Sequence, residues 1–263
     1  MTSPTAFNKG APAQGIQADS SGNSARHLVV KSLWFNKDLK REAFRRRNSR
    51  LSRLAFRSRP TKLSPMSRVS RLGFIQPQLP TLTAQPPAGD RWIHEIKHDG
   101  YRTVLVVDRG SVRAFTRNGH DWSDRYPAIV ASAAELRCRS AILDGEVIVQ
   151  DGRGASDFEA LQRALRGRRN PLIFYAFDIL HLDGNDLRAL PLVERRAKLK
   201  KLIGDEGAGA VQFSEEFIGD AAALFRACAK HQLEGIVSKL ASSRYRSGRT
   251  RSWLKTSALP RAS

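Results

Sequence analysis

Lys97 stands at the end of an apolar, strand-like run (WIHEIK, 92–97), ahead of His98-Asp99-Gly100 and a second apolar run (YRTVLVV, 101–107). A charged amine is expensive to bury, so its place there needs a partner or a chemical purpose. An amine attacks only when neutral, and its ordinary pKa of about 10.4 leaves well under ~0.1% in that form at pH 7. Burial and neighbouring cations both lower that value. The chain offers both: apolar residues surround Lys97, and two more lysines, Lys239 and Lys255, are embedded in strand-like runs. Strand alternation puts Glu95 and Lys97 on one face about 7 Å apart, a spacing that suits groups meeting different ends of one nucleoside monophosphate. The competing reading is an edge-strand lysine that only blocks aggregation.

These residues need elements to position them. WIHEIK and YRTVLVV flank Asp99-Gly100 and read as strand, tight turn and strand, with Arg102 on the neighbouring strand. SVRAFTRNG and SAILDGEVIVQDG are two more strand-rich pieces, and Asp144-Gly145 reads as a turn dipeptide. SDFEALQRALRG predicts a helix capped by Ser156, with Glu159 completing a capping box. PLIFYAFDILHLDG is a strand ending in a turn. LPLVERRAKLKKLIG predicts a helix started at Pro191 and stopped at Gly204. GDAAALFRACAKHQLEG predicts another helix, which feeds the strand GIVSKL; RSWLKT is the last strand. Strands and helices without a regular βαβ rhythm predict an α+β fold of mostly antiparallel sheets flanked by helices.

The 263-residue chain holds 45 Lys and Arg against 25 Asp and Glu, for a formal net charge of +20. Residues 1–73 carry 16 of those basic and 3 of those acidic residues, so the basic surplus is concentrated there. The charge favours a polyanionic partner such as nucleic acid over a role in solubility alone. Two distant cysteines, Cys138 and Cys228, argue against a zinc site or a disulfide framework and fit a reducing compartment. No secretory signal and no apolar run of the ~18 residues needed to span a membrane is visible. The expected organisation is a basic, low-complexity, disordered extension over 1–73, a folded domain over 74–257 and a tail over 258–263. Three readings of the extension compete: a nucleic-acid-binding arm, an organellar transit-like segment and a product of a misplaced start codon.

Lys97-His-Asp99-Gly100-Tyr-Arg102 resembles the KxDGxR signature of covalent nucleotidyltransferases, the superfamily of DNA ligases, RNA ligases and mRNA-capping enzymes. TRNG (116–119), LDGE (143–146), FYAFDIL (174–180), EGIVSK (234–239) and WLK (253–255) follow in family order. Over about residues 74–257 the wording is most similar to ATP-dependent DNA ligases of bacterial end joining. The resemblance implies that Lys97 attacks the α-phosphate of ATP to form lysyl-AMP, and that Lys239 and Lys255 neutralise phosphate charge. It implies that Arg102 and Arg117 hold the ribose or phosphate end, Glu146 the ribose hydroxyls and Glu95 the adenine edge. Phe177 would stack on the base, with Tyr175 as the substitute. Glu234, together with Asp178, would place Mg²⁺ or Mn²⁺; for Asp178 a core hydrogen-bonding role competes. Glu234 and Lys239 are five apart, so a regular strand would point them oppositely, and a bulge at Gly235 is the expected remedy.

The sequence departs from the family in two ways. Ser257 replaces a second lysine expected two positions after Lys255, and only six residues follow Ser257, too few for an OB-fold clamp. The expected function is an adenylyltransferase that seals nicked duplex DNA as a monomer in the bacterial cytoplasm, near the nucleoid. It would act with a separate OB-domain or end-binding repair protein, or with the basic arm. The alternatives are a nucleotide- or nucleic-acid-binding remnant with little turnover and an RNA ligase or capping-type enzyme.

Overall fold

In the computed structural model, residues 71–167 and 171–259 are described; the expected N-terminal extension lies almost wholly outside them. Fourteen strands and helices follow one another within that range. β1 (Gln78–Leu82), β2 (Trp92–Ile96), β3 (Tyr101–Asp108) and β4 (Ser111–Thr116) lead into α1 (Pro127–Ala134). β5 (Ser140–Ile148), α2 (Phe158–Leu165), β6 (Ile173–Leu182), β7 (Asn185–Asp186) and α3 (Leu192–Ile203) follow. β8 (Val211–Phe213), α4 (Ala221–Lys230), β9 (Gly235–Leu240) and β10 (Gly248–Ser257) complete the order. The strands form a four-stranded sheet, β1-β10-β9-β2, and a six-stranded sheet, β4-β3-β5-β6-β7 with β8 on β6. All pairs are antiparallel except β1–β10 and β6–β8, which is the α+β architecture expected. Among the described residues no helix is long and apolar enough to cross a membrane.

One face of the larger sheet is covered by helices. Leu105, Leu143, Val147, Phe174 and Ile179 pack there with Ile129, Leu161, Leu199 and Ile203 from α1, α2 and α3. Its other face meets the smaller sheet: Val104, Val106, Ile142, Phe177 and Leu180 pack against Ile93, Tyr245 and Trp253. Helix α4 closes the outer side of the smaller sheet through Leu224 and Cys228 on Ile236. The inward faces of the two sheets therefore share one core.

The expected β2–β3 hairpin does not form. β2 pairs with β9 and β3 with β4 and β5, so Asp99-Gly100 carries the chain from one sheet to the other. Gly100 is required by crowding: a Cβ there would lie 2.2 Å from the Val147 carbonyl oxygen. Asp144-Gly145 is likewise no turn but the middle of β5, at a register shift against β6, where a Cβ on Gly145 would meet the Phe174 ring at 2.4 Å. The cap of α2 is Asp157, accepting from the Ala160 N–H, while Ser156 Oγ accepts from the Asp99 N–H. Helix α3 begins after Pro191 and ends at Gly204 as expected. Helix α1 and the strand character of β1 were not legible in the sequence.

Candidate active site

Cross-strand register collects the reactive side chains on one face of the smaller sheet. Ile93 pairs with Lys239, which pairs with Trp253; Glu95 pairs with Val237, which pairs with Lys255. Directly paired residues share a face, as do residues two apart. Glu95, Lys239 and Lys255 thus point the same way, towards the larger sheet, and Lys97 continues the alternation just past the end of β2.

Lys97 donates its backbone N–H to Gly235 O at 2.9 Å and forms an ion pair with Glu234. Glu234 precedes β9, so strand alternation does not govern it and the five-residue conflict with Lys239 disappears. Gly235 makes this approach possible. Its φ of 142° lies in the region that favours glycine, and a Cβ would sit 2.1 Å from Thr256 O. Glu234 Oε2 is buried without a hydrogen-bond partner.

Lys239 is 2% exposed, with its ammonium 2.6 Å from Glu95 Oε1, 4.0 Å from the Phe177 ring centre and 4.4 Å from that of Trp253. Burial pulls its pKa down to about 8; Glu95 resists that fall and Arg196 adds to it. Lys255 lies partly buried on β10 between Val237 and Leu82 of β1.

The larger sheet supplies the opposite wall. Arg102 of β3 pairs with Glu146 of β5, and Glu146 with Tyr175 of β6. Burial raises the Glu146 carboxyl to about 7 against the pull of Arg102 and Lys97, so all three charges act on one another. Arg102 grips Asp144 through two bonds of 2.6 and 2.8 Å and lies 4.4 Å from the Phe177 ring centre. Tyr245 donates to the same carboxylate at 2.6 Å. Between the walls His98 stacks on Tyr175 at 4.6 Å, where burial lowers its pKa to about 4 and Glu95, Lys97 and Lys239 all act on it.

Several expected site residues stand differently. Asp178 shows the core hydrogen-bonding role that competed with metal binding: it is fully buried, and its two oxygens accept from Arg195 at 2.8 and 2.9 Å. Among the described residues no group of three or more His, Cys, Asp or Glu could hold a metal ion. Arg117 is exposed in the turn after β4, and the structure does not join it to the other charges. Phe177 is 8% exposed and carries two cations over its ring. The Glu95 carboxylate is already engaged by Lys239, by Arg196 at 2.9 Å and by Ser214 at 3.1 Å.

Arg196 itself escaped the sequence reading, although a signal existed. Leu192, Arg195, Arg196, Leu199 and Ile203 are the buried residues of α3, so two arginines occupy core positions of the helical period.

The family model described as ATP dependent DNA ligase domain matches residues 81–256. The chain belongs to the ATP-dependent DNA ligase family. Among its relatives is the multifunctional non-homologous end joining protein LigD of Pseudomonas aeruginosa, 40% identical over 69% of this chain. That match spans 22% of the LigD protein, so this ligase domain corresponds to a minor part of it. The SPbeta prophage-derived DNA ligase-like protein LigB of Bacillus subtilis is 31% identical, over 69% of this chain and 67% of LigB. A solved structure of mycobacterial DNA ligase D complexed with ATP and MES superposes with a TM-score of 0.61 at 34% identity, covering 69% of this chain and 59% of that one. A DNA ligase domain implies a nucleic-acid substrate, and the family's energy source is ATP.

Proposed function

We propose that this ligase domain forms a covalent lysyl-AMP at Lys97 and passes the adenylate to the 5′-phosphate of a nick in duplex DNA during end joining. The observation that carries the reading is the convergence of Lys97, Glu234, Glu95, Lys239 and Glu146 where the two sheets face each other.

Lys97, held in place by its ion-pair partner Glu234, gives its proton to solvent and then attacks the α-phosphorus of ATP. A P–N bond forms, the bond from the α-phosphorus to the bridging oxygen breaks, and pyrophosphate leaves with that oxygen. Lys239 and Lys255 supply the positive charge that the departing phosphates require. Glu146, opposite Lys97 and Arg102, accepts from the ribose hydroxyls. Glu95 meets the adenine edge, and the base lies against Phe177, with Tyr175 and His98 bounding it.

Mg²⁺ binds ATP enzymes through one or two carboxylates, with water and phosphate oxygens completing its shell. Glu234, with its unpartnered buried oxygen, fits that pattern and would hold the ion, which when bound would supply positive charge at the phosphates. In the second half of the reaction the 5′-phosphate oxygen attacks the lysyl-AMP phosphorus, breaking the P–N bond and freeing Lys97. The 3′-hydroxyl then displaces AMP.

Incubation with α-labelled ATP and Mg²⁺ or Mn²⁺, followed by denaturing gels, tests the reading. Wild-type protein takes acid-labile label and Lys97→Ala takes none; absence of label on folded wild-type protein refutes it. Chasing the labelled protein with nicked duplex then moves the label to the DNA 5′ end.

A further inference from the structure

We infer that Arg196 is a positioning residue for adenylation: it is the standing counter-ion of Glu95, which lets Lys239 leave Glu95 for the nucleotide. The inference rests on the lysyl-AMP reading above and concerns how that site is made ready.

Glu95 Oε1 faces two cations at once, Lys239 at 2.6 Å and Arg196 Nη1 at 2.9 Å. The two are not equivalent. Arg196 is pinned on every side: Nη1 also donates to Phe177 O at 2.9 Å, Nη2 to Ser214 O at 2.7 Å, and Nε is paired with Glu216. Its guanidinium lies 4.6 Å from the Phe213 ring centre, and the residue is 2% exposed. A planar fork held by two carbonyls and two carboxylates has nowhere to go. Lys239, in contrast, holds Glu95 by one point charge on a flexible stem, and otherwise rests on the rings of Phe177 and Trp253.

In this state the Lys239 ammonium occupies the Glu95 carboxylate and lies over the Phe177 ring, which it shares with Arg102. It is a placeholder. When the nucleotide arrives, its phosphates offer Lys239 a better counter-charge, and the base takes the vacated position. That exchange would strand a buried carboxylate if Lys239 were its sole cation, at the high cost of an unpaired buried charge. Arg196 removes the difficulty, because Glu95 remains neutralised and hydrogen-bonded after Lys239 departs. Ser214, donating to Oε2 at 3.1 Å, keeps the second oxygen in place.

The inference predicts a specific non-additivity. In the full chain, Arg196→Met leaves Lys239 as the only cation on Glu95, so ATP must pull it from a stronger pair. The KM for ATP in the labelling reaction rises at least tenfold, with a smaller change in kcat. On a Glu95→Gln background no buried negative charge needs a counter-ion, and the same Arg196→Met change raises KM less than threefold. Arg196→Lys, which keeps the charge, falls between wild type and Arg196→Met.

Equal losses on both backgrounds mean that Arg196 is only a pillar under Phe177 and Ser214, and they overturn the inference; so does an unchanged KM. Should Arg196→Met fail to fold, as judged by urea unfolding, the Arg196→Lys cycle with Glu95→Gln decides by the same criterion. Failure of wild-type protein to label would instead refute the lysyl-AMP reading itself, so the two failures are distinguishable.

Discussion

Asp178 and Arg195 form a closed ion pair in the middle of the molecule, and replacing Asp178 by Asn separates an architectural role from a metal-binding one. Both side chains are wholly buried, and the two bonds between them are 2.8 and 2.9 Å. Arg195 also donates to Leu190 O at 2.5 Å and Ser243 O at 3.0 Å, so it ties β6 to the start of α3 and to the loop before β10. Removing one charge of a buried pair leaves the other uncompensated, at a cost of roughly 3–5 kcal/mol. For a domain of this size ~1 kcal/mol moves Tm by about 2–4 °C, so Asp178→Asn should lower Tm by ~6–20 °C. Urea unfolding should show a lower midpoint at an unchanged m value. Replacing both partners, as in Asp178→Leu with Arg195→Met, should recover much of the loss, because no charge is left stranded. A metal ligand would behave oppositely: its loss would cost little stability and would raise the Mg²⁺ requirement of the labelling reaction. A stability loss below ~1 kcal/mol together with a tenfold higher Mg²⁺ requirement would refute the argument.

Two further outcomes follow from the same geometry. His94 is fully buried, and burial lowers its pKa to about 4, whereas the unfolded chain takes up that proton near 6.5. Between those values the unfolded state binds more protons, so stability is complete above about pH 6.5 and falls with pH by up to ~1.4 kcal/mol per unit until about pH 4. Urea midpoints at pH 7.5 and 5.0 should therefore lie closer together in His94→Gln than in wild type, and an identical pH slope in the two proteins contradicts the assignment. Gly235→Ala should cost ~1–3 kcal/mol and slow lysine labelling, because a Cβ would strike Thr256 O and displace Glu234 from Lys97. Gly110 also has a positive φ, 84°, but open space around it, so Gly110→Ala should lose stability and keep the labelling rate; equal labelling rates in both variants would exclude the close approach at Gly235 as the cause.

What was legible in the sequence follows local rules. The apolar alternation of WIHEIK and YRTVLVV, the Pro191 start and Gly204 stop of α3, and the shared face of Glu95 and Lys97 all report on neighbours within a few residues. The pairing partners of those strands do not. A tight turn at Asp99-Gly100 was the natural local reading, and β2 instead pairs with a strand some 140 positions away in sequence. Asp144-Gly145 misled for a related reason: Gly145 serves the close passage of the Phe174 ring, a tertiary demand that imitates turn composition. Within the candidate site, the three lysines, Glu95, Glu146 and Glu234 were read from motifs; the structure pairs Lys97 with Glu234 and Lys239 with Glu95, and puts Lys255 on the same sheet face by register. The buried arginines were missed because charged residues on a helix are ordinarily read as a solvated face. Only the core-facing period of Leu192, Leu199 and Ile203 placed Arg195 and Arg196 inward.

The two sheets also differ in when they can exist. The larger one is built largely from strands close in sequence, β3 to β6, and can assemble as they emerge from a ribosome. The smaller one cannot, because β1 and β2 have no partners in it other than β10 and β9. Lys97 is therefore synthesised ~160 residues, or roughly 10–30 s, before the strand carrying Lys255. Until that strand arrives, β9 has only β2 beside it, and the face that carries Glu95 and Lys239 lacks Lys255. A nascent chain would thus hold a well-formed larger sheet while the smaller one is still gathering its strands, and its face of cations is complete with β10.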